Sequence, residues 1–281
     1  MDASNNHLNS SNVSFIGSGV MGEAMIRALL KQNLLPRERI VASDPLVDRL
    51  RELSVALGVG TTTDNREAAS RADVLILSVK PQVLRKVLEE LRGCVRPETL
   101  VLSIVAGARV KAIARGLGGH EAIVRAMPNT PAQIGLGMTV WIATPAVTPA
   151  QHASARAILG AMGEELAVED EDYLDMATAL SGTGPAYVFL FMEALIDGGV
   201  HMGFSRRVAQ QLVLKTMEGA VAIAKQTGQH PAVLRNAVTS PGGTSAEALY
   251  QLEKGALRTI VSKAIWAAYQ KSKYLGGLSE E

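Results

Sequence analysis

The chain has 281 residues and a mass of 29.7 kDa, enough for one large domain or two modest domains with a proper core. Apolar residues make up 47% and charged residues 20%, a balance that excludes disordered and fibrous proteins. The net charge is +1 and the pI is near 7.9, so electrostatics gives no reason to expect nucleic acid or an anionic membrane as a partner.

Cysteine and histidine usage bears on redox and metal chemistry. Cys94 is the single cysteine, which excludes an internal disulfide framework and a cysteine-based zinc site. The five histidines are scattered, so no metal site is expected. Lys80, Arg109 and Glu193 interrupt the longest apolar runs before they reach the roughly 18 residues that a bilayer span needs. We therefore expect a cytoplasmic, globular protein.

The first half of the chain alternates short β-rich runs with helical stretches, and the first of these helices is predicted at 21–32. Strands are predicted at 13–16, 39–43, 74–79 and 100–105, with weaker candidates at 122–126 and 138–142. Strands separated by helices are typical of a parallel sheet with helices on both faces. Residues 12–169 are therefore predicted to form an α/β domain, after a polar segment at 1–11 that we expect to be a flexible tail.

The second half, residues 170–281, is predicted to be entirely helical. Helices are expected at 174–180, 186–201, 205–226, 231–238, 245–253 and 256–274. Several are apolar almost all round, as at 187–192, and such helices have to be enclosed by others from the same chain or from a partner. This pattern indicates an all-α domain that joins two copies of the chain in a homodimer.

A glycine motif lies between the first predicted strand and the first predicted helix. Residues 17–22 read Gly-Ser-Gly-Val-Met-Gly and fit G-x-G-x-x-G. In a Rossmann-type domain Gly17 allows the tight turn, Gly19 lets a pyrophosphate approach the backbone, and Gly22 lets helix and strand pack closely. The context favours dinucleotide binding at the helix N-terminus over a glycine turn of an unrelated α/β protein.

Asp44 lies 22 residues beyond Gly22 and follows the second predicted strand. This is close to the roughly 20 residues expected for the acid that binds the adenosine ribose, accepts the 2′-hydroxyl of NAD and repels the 2′-phosphate of NADP. Arg49 and Arg51 are near enough to offer a counter-charge. Because Asp44 can equally begin a turn with Pro45, the residues alone leave the choice of cofactor open.

Two more predicted strands end at 78–81 and 105–107, where ligands of an open parallel sheet bind. Both segments are placed to meet the ribose and the nicotinamide. Lys80 is read equally as a charge for a phosphate or substrate and as a solvated strand end. Asn129, in a proline-rich turn at 127–131, fits an ordinary turn residue at least as well as one that orients a ligand.

Two glycine loops interrupt the helical half, at 181–187 and 239–247. In the second loop, Thr244 and Glu247 have the spacing of a capping box, which places a helix N-terminus at Thr244. Free N–H groups near Ser245 and Ala246 would then receive a small carboxylate. A capped helix after a flexible turn explains the same residues without a ligand.

The sequence closely resembles pyrroline-5-carboxylate reductases, the family of the last enzyme of proline synthesis. The resemblance rests on residues 15–21, 79–82, 127–131, 180–187 and 231–253. It implies a Rossmann domain followed by a helical dimerisation domain, with an active site between the nucleotide crevice of one subunit and the glycine loop of its partner. Dimers of this family commonly assemble further, often into decamers.

The implied reaction is hydride transfer from the nicotinamide to the C=N carbon of 1-pyrroline-5-carboxylate, which gives L-proline. NADPH is the usual cofactor, and NADH is the alternative that Asp44 leaves open. The resemblance also places Asn65 at the adenosine end of the cofactor. Motif, strand ends and resemblance together predict these cofactor-binding residues: Ile16, Gly17, Ser18, Gly19, Val20, Met21, Asp44, Asn65, Ser78, Val79, Lys80, Pro81, Val105, Ala106 and Gly107.

Ser245 is the predicted catalytic residue, because it stands where the family usually has a threonine whose hydroxyl can hydrogen-bond or protonate the imine nitrogen. The predicted substrate-binding residues are Glu171, Gly243, Thr244 and Ser245. A β-hydroxyacid dehydrogenase would need a lysine on the helix after Gly184, and none is present there. A non-catalytic sensor is disfavoured because the turn at Gly17 and the loop at 242–245 are both intact.

Overall fold

The computed structural model describes residues 8–278, apart from the side chains of residues 277 and 278. Its centre is an eight-stranded sheet with the order β3-β2-β1-β4-β5-β6-β7-β8. The strands are β1 (Val13–Ile16), β2 (Ile40–Ser43), β3 (Gly60–Thr62), β4 (Val74–Leu77), β5 (Leu100–Ser103), β6 (Ile123–Met127), β7 (Gly137–Ala143) and β8 (Gly163–Ala167). The order of the first six strands is that of a dinucleotide-binding Rossmann fold, which confirms the predicted fold class.

The sheet differs from the prediction in three places. Strand β7 runs antiparallel to β6, because the short proline-rich connection leaves no room for a crossover helix, so the expected parallel sheet is wrong at this pair. Strands β3 and β8, the two edges of the sheet, were not predicted. Their residues are mostly exposed, so neither carries the apolar run that marks a buried strand.

Six helices cover the two faces of this sheet. They are α1 (Val20–Lys31), α2 (Val47–Leu57), α3 (Asn65–Ser70), α4 (Pro81–Leu91), α5 (Val110–Gly116) and α6 (Pro149–Gly160). Neighbouring residues on one strand serve opposite faces: Phe15 packs in one buried cluster and Ile16 in the other. Two buried faces explain why β4 and β5 read as continuous apolar runs.

The predicted flexible tail is only partly described, since residues 1–7 lie outside the described residues. Leu8 is fully buried in the same cluster as Phe15 and Trp141. The expectation of a loose tail is therefore wrong at Leu8, whose apolar side chain is held by the core.

The described residues fall into two compact units. The first unit ends at Thr183 and includes the chain again from Ala268, and the second unit runs from Gly184 to Ala267. Helix α7 (Asp172–Ala177) and a π-helical turn (Thr178–Gly182) belong to the first unit, so packing divides the chain later than the predicted boundary at 169/170. That boundary, drawn where strands give way to helices, stays a prediction of domain organisation.

The second unit is all-α, as predicted. It contains α8 (Gly184–His201), α9 (Arg206–Thr227), α10 (Pro231–Ala237), α11 (Thr244–Lys254) and the first part of α12 (Leu257–Leu278). Of its residues only Gly199 and Ala209 are buried, where a Cβ on Gly199 would come within 2.9 Å of the Ala209 Cβ. One copy of this unit therefore has almost no core of its own.

One helical stretch, Asp172–His201, is long and apolar enough to cross a membrane by length and composition, with a mean hydropathy of 1.4. The expectation that no segment reaches this length is therefore wrong, because Glu193 is too isolated to lower the average below that of a span. Such a stretch is also what a helix enclosed by a partner copy requires.

Gly163, at the start of β8, allows a direct test of how closely this edge strand packs against β7. Its φ is +139°, and a Cβ there would lie 2.2 Å from the Gly137 carbonyl oxygen. We expect Gly163→Ala to destabilise the protein by about 3 kcal/mol or more, measured as a lower thermal midpoint. The matched control is Gly160→Ala at the end of α6, where the nearest atom is 4.0 Å away. Equal midpoints for the two variants would contradict this account of the edge.

Candidate active site

Two motif glycines are fixed by close packing. Gly17 has φ +92°, and a Cβ there would lie 2.8 Å from Val79 Cγ1. A Cβ on Gly22 would lie 2.8 Å from the Gly17 oxygen and 3.1 Å from Ser78 Oγ. The Ser78 hydroxyl donates to the Gly17 carbonyl at 2.6 Å. The turn after β1 is thus clamped against the end of β4, which leaves no room for side chains at Gly17 and Gly22.

Gly19, the middle glycine of the motif, faces open space. No atom lies within 4 Å of a Cβ built on Gly19, which is the N-cap of α1 and forms no side-chain cap. Among the described residues, no hydrogen bond is recorded to the amide N–H of Val20 or Met21. Uncapped N–H groups at a helix N-terminus suit the pyrophosphate of a dinucleotide.

The other predicted cofactor residues follow neighbouring strands. Because β1, β4 and β5 are adjacent and parallel, Ile16, the segment 78–81 and the segment 105–107 come out at one edge of the sheet. A cavity of about 550 Å³ lies between α4 and α5, and Pro81 and Gly107 line the part of it next to the strand ends. Lys80 is the exposed N-cap residue of α4. The first unit therefore fits a dinucleotide at its glycine loop, beside the ends of β4 and β5.

Asp44 meets both of the alternatives drawn from the sequence. Its Oδ1 accepts from the N–H of Leu46 at 3.1 Å, which is the expected turn. Its Oδ2 accepts from the N–H and from the hydroxyl of Ser18, both at 3.0 Å, so the carboxylate also lies against the glycine loop. Asp44 thus joins the ends of β1 and β2.

Arg49 does fold back, and it does so onto the glycine loop. Its Nε donates to the Ser18 carbonyl at 2.8 Å, its Nη2 pairs with Glu23 in the first turn of α1, and its Nη1 lies 3.4 Å from Glu52. Arg51 pairs instead with Asp48 on the exposed side of α2. Of the two predicted counter-charges, only Arg49 lies against the loop.

Glu23 and Arg49 strengthen each other's charge. The hydrogen bond from Arg49 holds the pKa of Glu23 below its ordinary value against the opposing effect of burial, and Arg27 adds to it. The same hydrogen bond raises the pKa of Arg49. Since the pKa of Glu23 is lower in the folded protein, its stabilising contribution is complete at neutral pH and disappears as the pH falls through the folded value.

The side chains of two asparagines singled out in the sequence, Asn65 and Asn129, form hydrogen bonds within the protein. The Asn65 amide accepts from the Ser43 hydroxyl at 2.7 Å and donates to Glu90 at 3.0 Å, which links the end of β2 to α4. Asn129 accepts from the N–H of Met138 at 2.9 Å and donates to a backbone carbonyl at 3.2 Å. Asn129 therefore fits the ordinary turn residue, whereas the role of Asn65 at the adenosine end stays a prediction.

Glu171 belongs to a cluster of charges that was not predicted. Its Oε1 accepts from Arg125 Nη1 at 2.7 Å and from the N–H of Val110 at 2.8 Å. Arg125 on β6 is 3% exposed, and Asp175 beside it is 1% exposed. The hydroxyl of Ser272 on α12 donates to Asp175 at 2.7 Å. The one sequence signal was the spacing of Glu171 and Asp175, which puts both on one helix face.

Arg109 extends this cluster towards the loop after β5. It pairs with Asp172 at 2.8 Å and with Asp175 at 3.5 Å. Burial alone would lower the pKa of Arg109, but the hydrogen bond that Arg109 donates to Asp172 and the neighbouring carboxylates raise it overall. The segment 105–110, which contains three predicted cofactor residues, is thus held by ion pairs to α7.

The predicted substrate loop lies in the second unit. Helix α11 begins at Thr244 as predicted, but its N-cap is Gly243, without a side-chain cap, so the predicted capping box is wrong. The N-cap falls one residue earlier than predicted, because the Gly243 N–H donates to the Ser240 carbonyl at 3.1 Å and leaves Gly243, without a side chain, at the cap. The Ala246 N–H donates to Gly243 at 3.0 Å and is not free.

Two backbone donors remain at this helix start. Among the described residues, no hydrogen bond is recorded to the N–H groups of Thr244 and Ser245. Gly242 has φ +67°, and the hydroxyl-bearing Ser245 is half-buried. The arrangement therefore offers N–H donors and one hydroxyl for a small carboxylate, at a helix start whose cap is one residue before the predicted one.

The fold and the glycine loop define a dinucleotide-dependent oxidoreductase with a helical second unit. Residues 12–107 match the family model "NADP oxidoreductase coenzyme F420-dependent", and residues 171–275 match "Pyrroline-5-carboxylate reductase dimerisation". The chain belongs to the pyrroline-5-carboxylate reductase family, whose members use NAD(P)H and make proline from pyrroline-5-carboxylate.

Relatives and solved structures agree with this assignment. The pyrroline-5-carboxylate reductase of a Synechocystis species is 44% identical over 94% of this chain and 98% of its own length, and that of Arabidopsis thaliana is 37% identical over 94% and 95%. The NADP-bound structure of pyrroline carboxylate reductase from Plasmodium falciparum is similar with a TM-score of 0.88, 32% identity, and coverage of 96% of this chain and 99% of that one. The structure of the Coxiella burnetii enzyme has a TM-score of 0.87, 39% identity, and coverage of 95% and 99%.

Arg125 offers a test of the buried cluster. Arg125→Met should cost about 3 to 5 kcal/mol of stability, because it removes the ion pair with Glu171 and one of the two cations beside the buried Asp175 carboxylate. Thermal unfolding measures the loss. The control is Arg85→Met, which removes an exposed i,i+4 pair with Glu89 and should change stability by no more than about 0.5 kcal/mol. Similar midpoints for both variants would show that the cluster is not a source of stability.

Proposed function

We propose that this chain reduces 1-pyrroline-5-carboxylate to L-proline by hydride transfer from NADPH or NADH, the last step of proline biosynthesis. The observation that carries the proposal is near full-length identity of 44% with a pyrroline-5-carboxylate reductase, together with an uncapped helix N-terminus at the end of β1. A protonated imine is already an electrophile, so the reaction needs neither a metal nor a covalent nucleophile. Among residues 8–278, no group of three His, Cys, Asp or Glu is arranged to hold a metal ion.

The residues of the chain divide the work between cofactor and substrate. When bound, the cofactor supplies the hydride. The N–H groups at the start of α1 bind its pyrophosphate, and the segments 78–81 and 105–107 are proposed to orient its ribose and nicotinamide. The N–H groups of Thr244 and Ser245 are proposed to hold the substrate carboxylate.

Ser245 and Glu171 have the remaining proposed roles. The Ser245 hydroxyl would donate a hydrogen bond or a proton to the imine nitrogen, which becomes an amine as the carbon accepts the hydride. Glu171, whose carboxylate is oriented by Arg125, would line the substrate site as the family pattern implies. Gly243 keeps the approach to the helix start free of side-chain atoms.

The helices of the second unit favour a homodimer. Phe189 is 61% exposed, Leu190 68% and Trp266 62% in a single copy, and the family model that covers these residues describes dimerisation. Surfaces this apolar are covered in soluble proteins by a partner, and a second copy of the same unit is the partner we propose. Further assembly, up to a decamer, is proposed from the family resemblance alone.

The cellular setting is proposed on the same basis. Bacterial relatives and a small polar substrate support a cytoplasmic enzyme, and pairing of α8 with another copy accounts for its apolar length without a membrane. A net charge of +1 supports no role in nucleic-acid binding.

The loss of nicotinamide absorbance with purified protein and pyrroline-5-carboxylate tests the function. We expect oxidation of NADPH, NADH or both. Ser245→Ala should lower kcat/KM about a hundredfold, because a hydrogen-bond donor or acid at the imine nitrogen is removed, while the Kd of the cofactor changes less than about twofold.

Ser245→Thr is the matched control, since it keeps the hydroxyl, and it should keep most of the activity. An equal loss of turnover and cofactor affinity in Ser245→Ala would contradict the assignment of Ser245. Cofactor binding without any oxidation in the unaltered protein would favour a sensor over an enzyme.

Light scattering should give a solution mass of at least twice 29.7 kDa. Leu190→Glu should lower that mass, because the variant would bury charges between copies of α8. Val55→Glu is the control, since Val55 is 83% exposed in the first unit and should leave the mass unchanged. A monomer for the unaltered chain would contradict the proposed dimer.

A further inference from the structure

Two charged side chains contact one buried residue of the glycine loop, and a third charge pairs with one of them. Ser18 is fully buried, its N–H and hydroxyl donate to Asp44, and its carbonyl accepts from Arg49 Nε at 2.8 Å. Glu23 then binds Arg49 from the first turn of α1. Asp44 therefore binds the donors of Ser18 and Arg49 binds its carbonyl acceptor, whereas Glu23 is linked to Ser18 only through Arg49.

The position of this cluster ties it to the adenosine ribose. In Rossmann domains the acid that follows the second strand lies at the ribose 2′-position, where NADP carries a phosphate and NAD a hydroxyl. Asp44 is that acid. A 2′-phosphate brings roughly two negative charges, so its affinity depends on a cation that is free to approach it.

Arg49 is a cation that contacts the same loop residue as Asp44, but its guanidinium is already engaged. One nitrogen holds the Ser18 carbonyl, another pairs with Glu23, and the third faces Glu52. Asp44, Glu23 and Arg49 together carry one net negative charge. The pair of Glu23 and Arg49 is only about one quarter exposed, so solvent screens it less than a surface pair.

We propose that Glu23 is a specificity-determining residue for the cofactor: by holding Arg49, it withholds that guanidinium from the 2′-phosphate and so shifts the balance of binding from NADP(H) towards NAD(H). The inference rests on the proposed function in taking a nicotinamide dinucleotide as the cofactor. Glu23 lies outside the glycine motif, and the inference assigns it an effect on binding at the 2′-position that the motif does not include.

A double-mutant cycle on binding tests the proposal. The Kd values of NADP+ and NAD+ are measured by titration calorimetry for the unaltered protein, Glu23→Gln, Arg49→Gln and the double variant. Glu23→Gln should raise the affinity for NADP+ relative to NAD+ about five- to tenfold, because Arg49 is released and one nearby negative charge is removed.

The coupling between the two residues separates this proposal from simple charge repulsion. Arg49→Gln should change the ratio of affinities by less than about twofold in the unaltered protein, but should abolish most of the gain in the Glu23→Gln background. An equal effect of Arg49→Gln in both backgrounds would overturn the proposal, since Arg49 would then act on the phosphate whether or not Glu23 holds it. No gain in Glu23→Gln would also overturn it.

Two controls keep the result interpretable. Glu38→Gln removes the same charge at the exposed turn before β2, at the opposite end of that strand from Asp44, and should leave the ratio unchanged. If Glu23→Gln unfolds, Glu23→Ala with adenosine 2′,5′-bisphosphate and AMP as the probes measures the same 2′-phosphate preference. Loss of binding for both NADP+ and NAD+ in the unaltered protein would count against the proposed function, whereas an unchanged ratio with both still bound would count against this inference alone.

Discussion

The clamp between the first glycine turn and the end of β4 is the constraint on which the nucleotide half of the molecule depends. The hydrogen bond from Ser78 to the Gly17 carbonyl, at 2.6 Å, and the absence of a side chain on Gly22 let α1 start directly beside the neighbouring strand. The helix N-terminus is then aimed across the sheet edge. A Cβ on Gly17 would lie 2.8 Å from Val79 and one on Gly22 would lie 2.8 Å from the Gly17 oxygen, so a larger residue at either position would displace the turn or the start of α1.

The same clamp also determines which residues contact the glycine loop. Once the loop is fixed, Ser18 is buried, and its polar groups require partners that Asp44 and Arg49 supply. Asp44, which is predicted to face the adenosine ribose, is therefore also a residue that stabilises the loop. On the proposed binding mode, the stability of the loop and the choice of cofactor would be coupled through Ser18, and a charge in the first turn of α1 would act at the 2′-position through Arg49.

The features that could be predicted from the sequence are those that depend on residues close together in the chain. Strands β4 and β5 were predicted because both of their faces are buried and all of their residues except Ser103 are apolar. The edge strand β3, Gly-Thr-Thr, is largely exposed and carries no such run, so it was missed. The direction of β7 depends on the length of its connection rather than on its own residues. The cap at Gly243 depends on a turn closed by Ser240, which the Thr244 and Glu247 spacing does not reveal.

Long-range charge pairing was beyond prediction for a related reason. Glu171 meets an N–H that is 61 positions away, and Ser272 meets Asp175 at a separation of 97. A buried arginine in an apolar strand implies that carboxylates must reach it, but not which ones.

The apolar second unit carries the remaining constraint. Within it, α8 and α9 touch at the small residues Gly199 and Ala209, and nearly everything else faces outward. In the proposed homodimer a partner copy covers the outer surface of this unit, so the free energy of folding of the unit would depend on protomer concentration. Because the proposed substrate loop lies in this unit, formation of the substrate site would then depend on assembly as well. The nucleotide unit, with two buried clusters of its own, has no such dependence, and the two halves of the proposed reaction therefore differ in what holds them together.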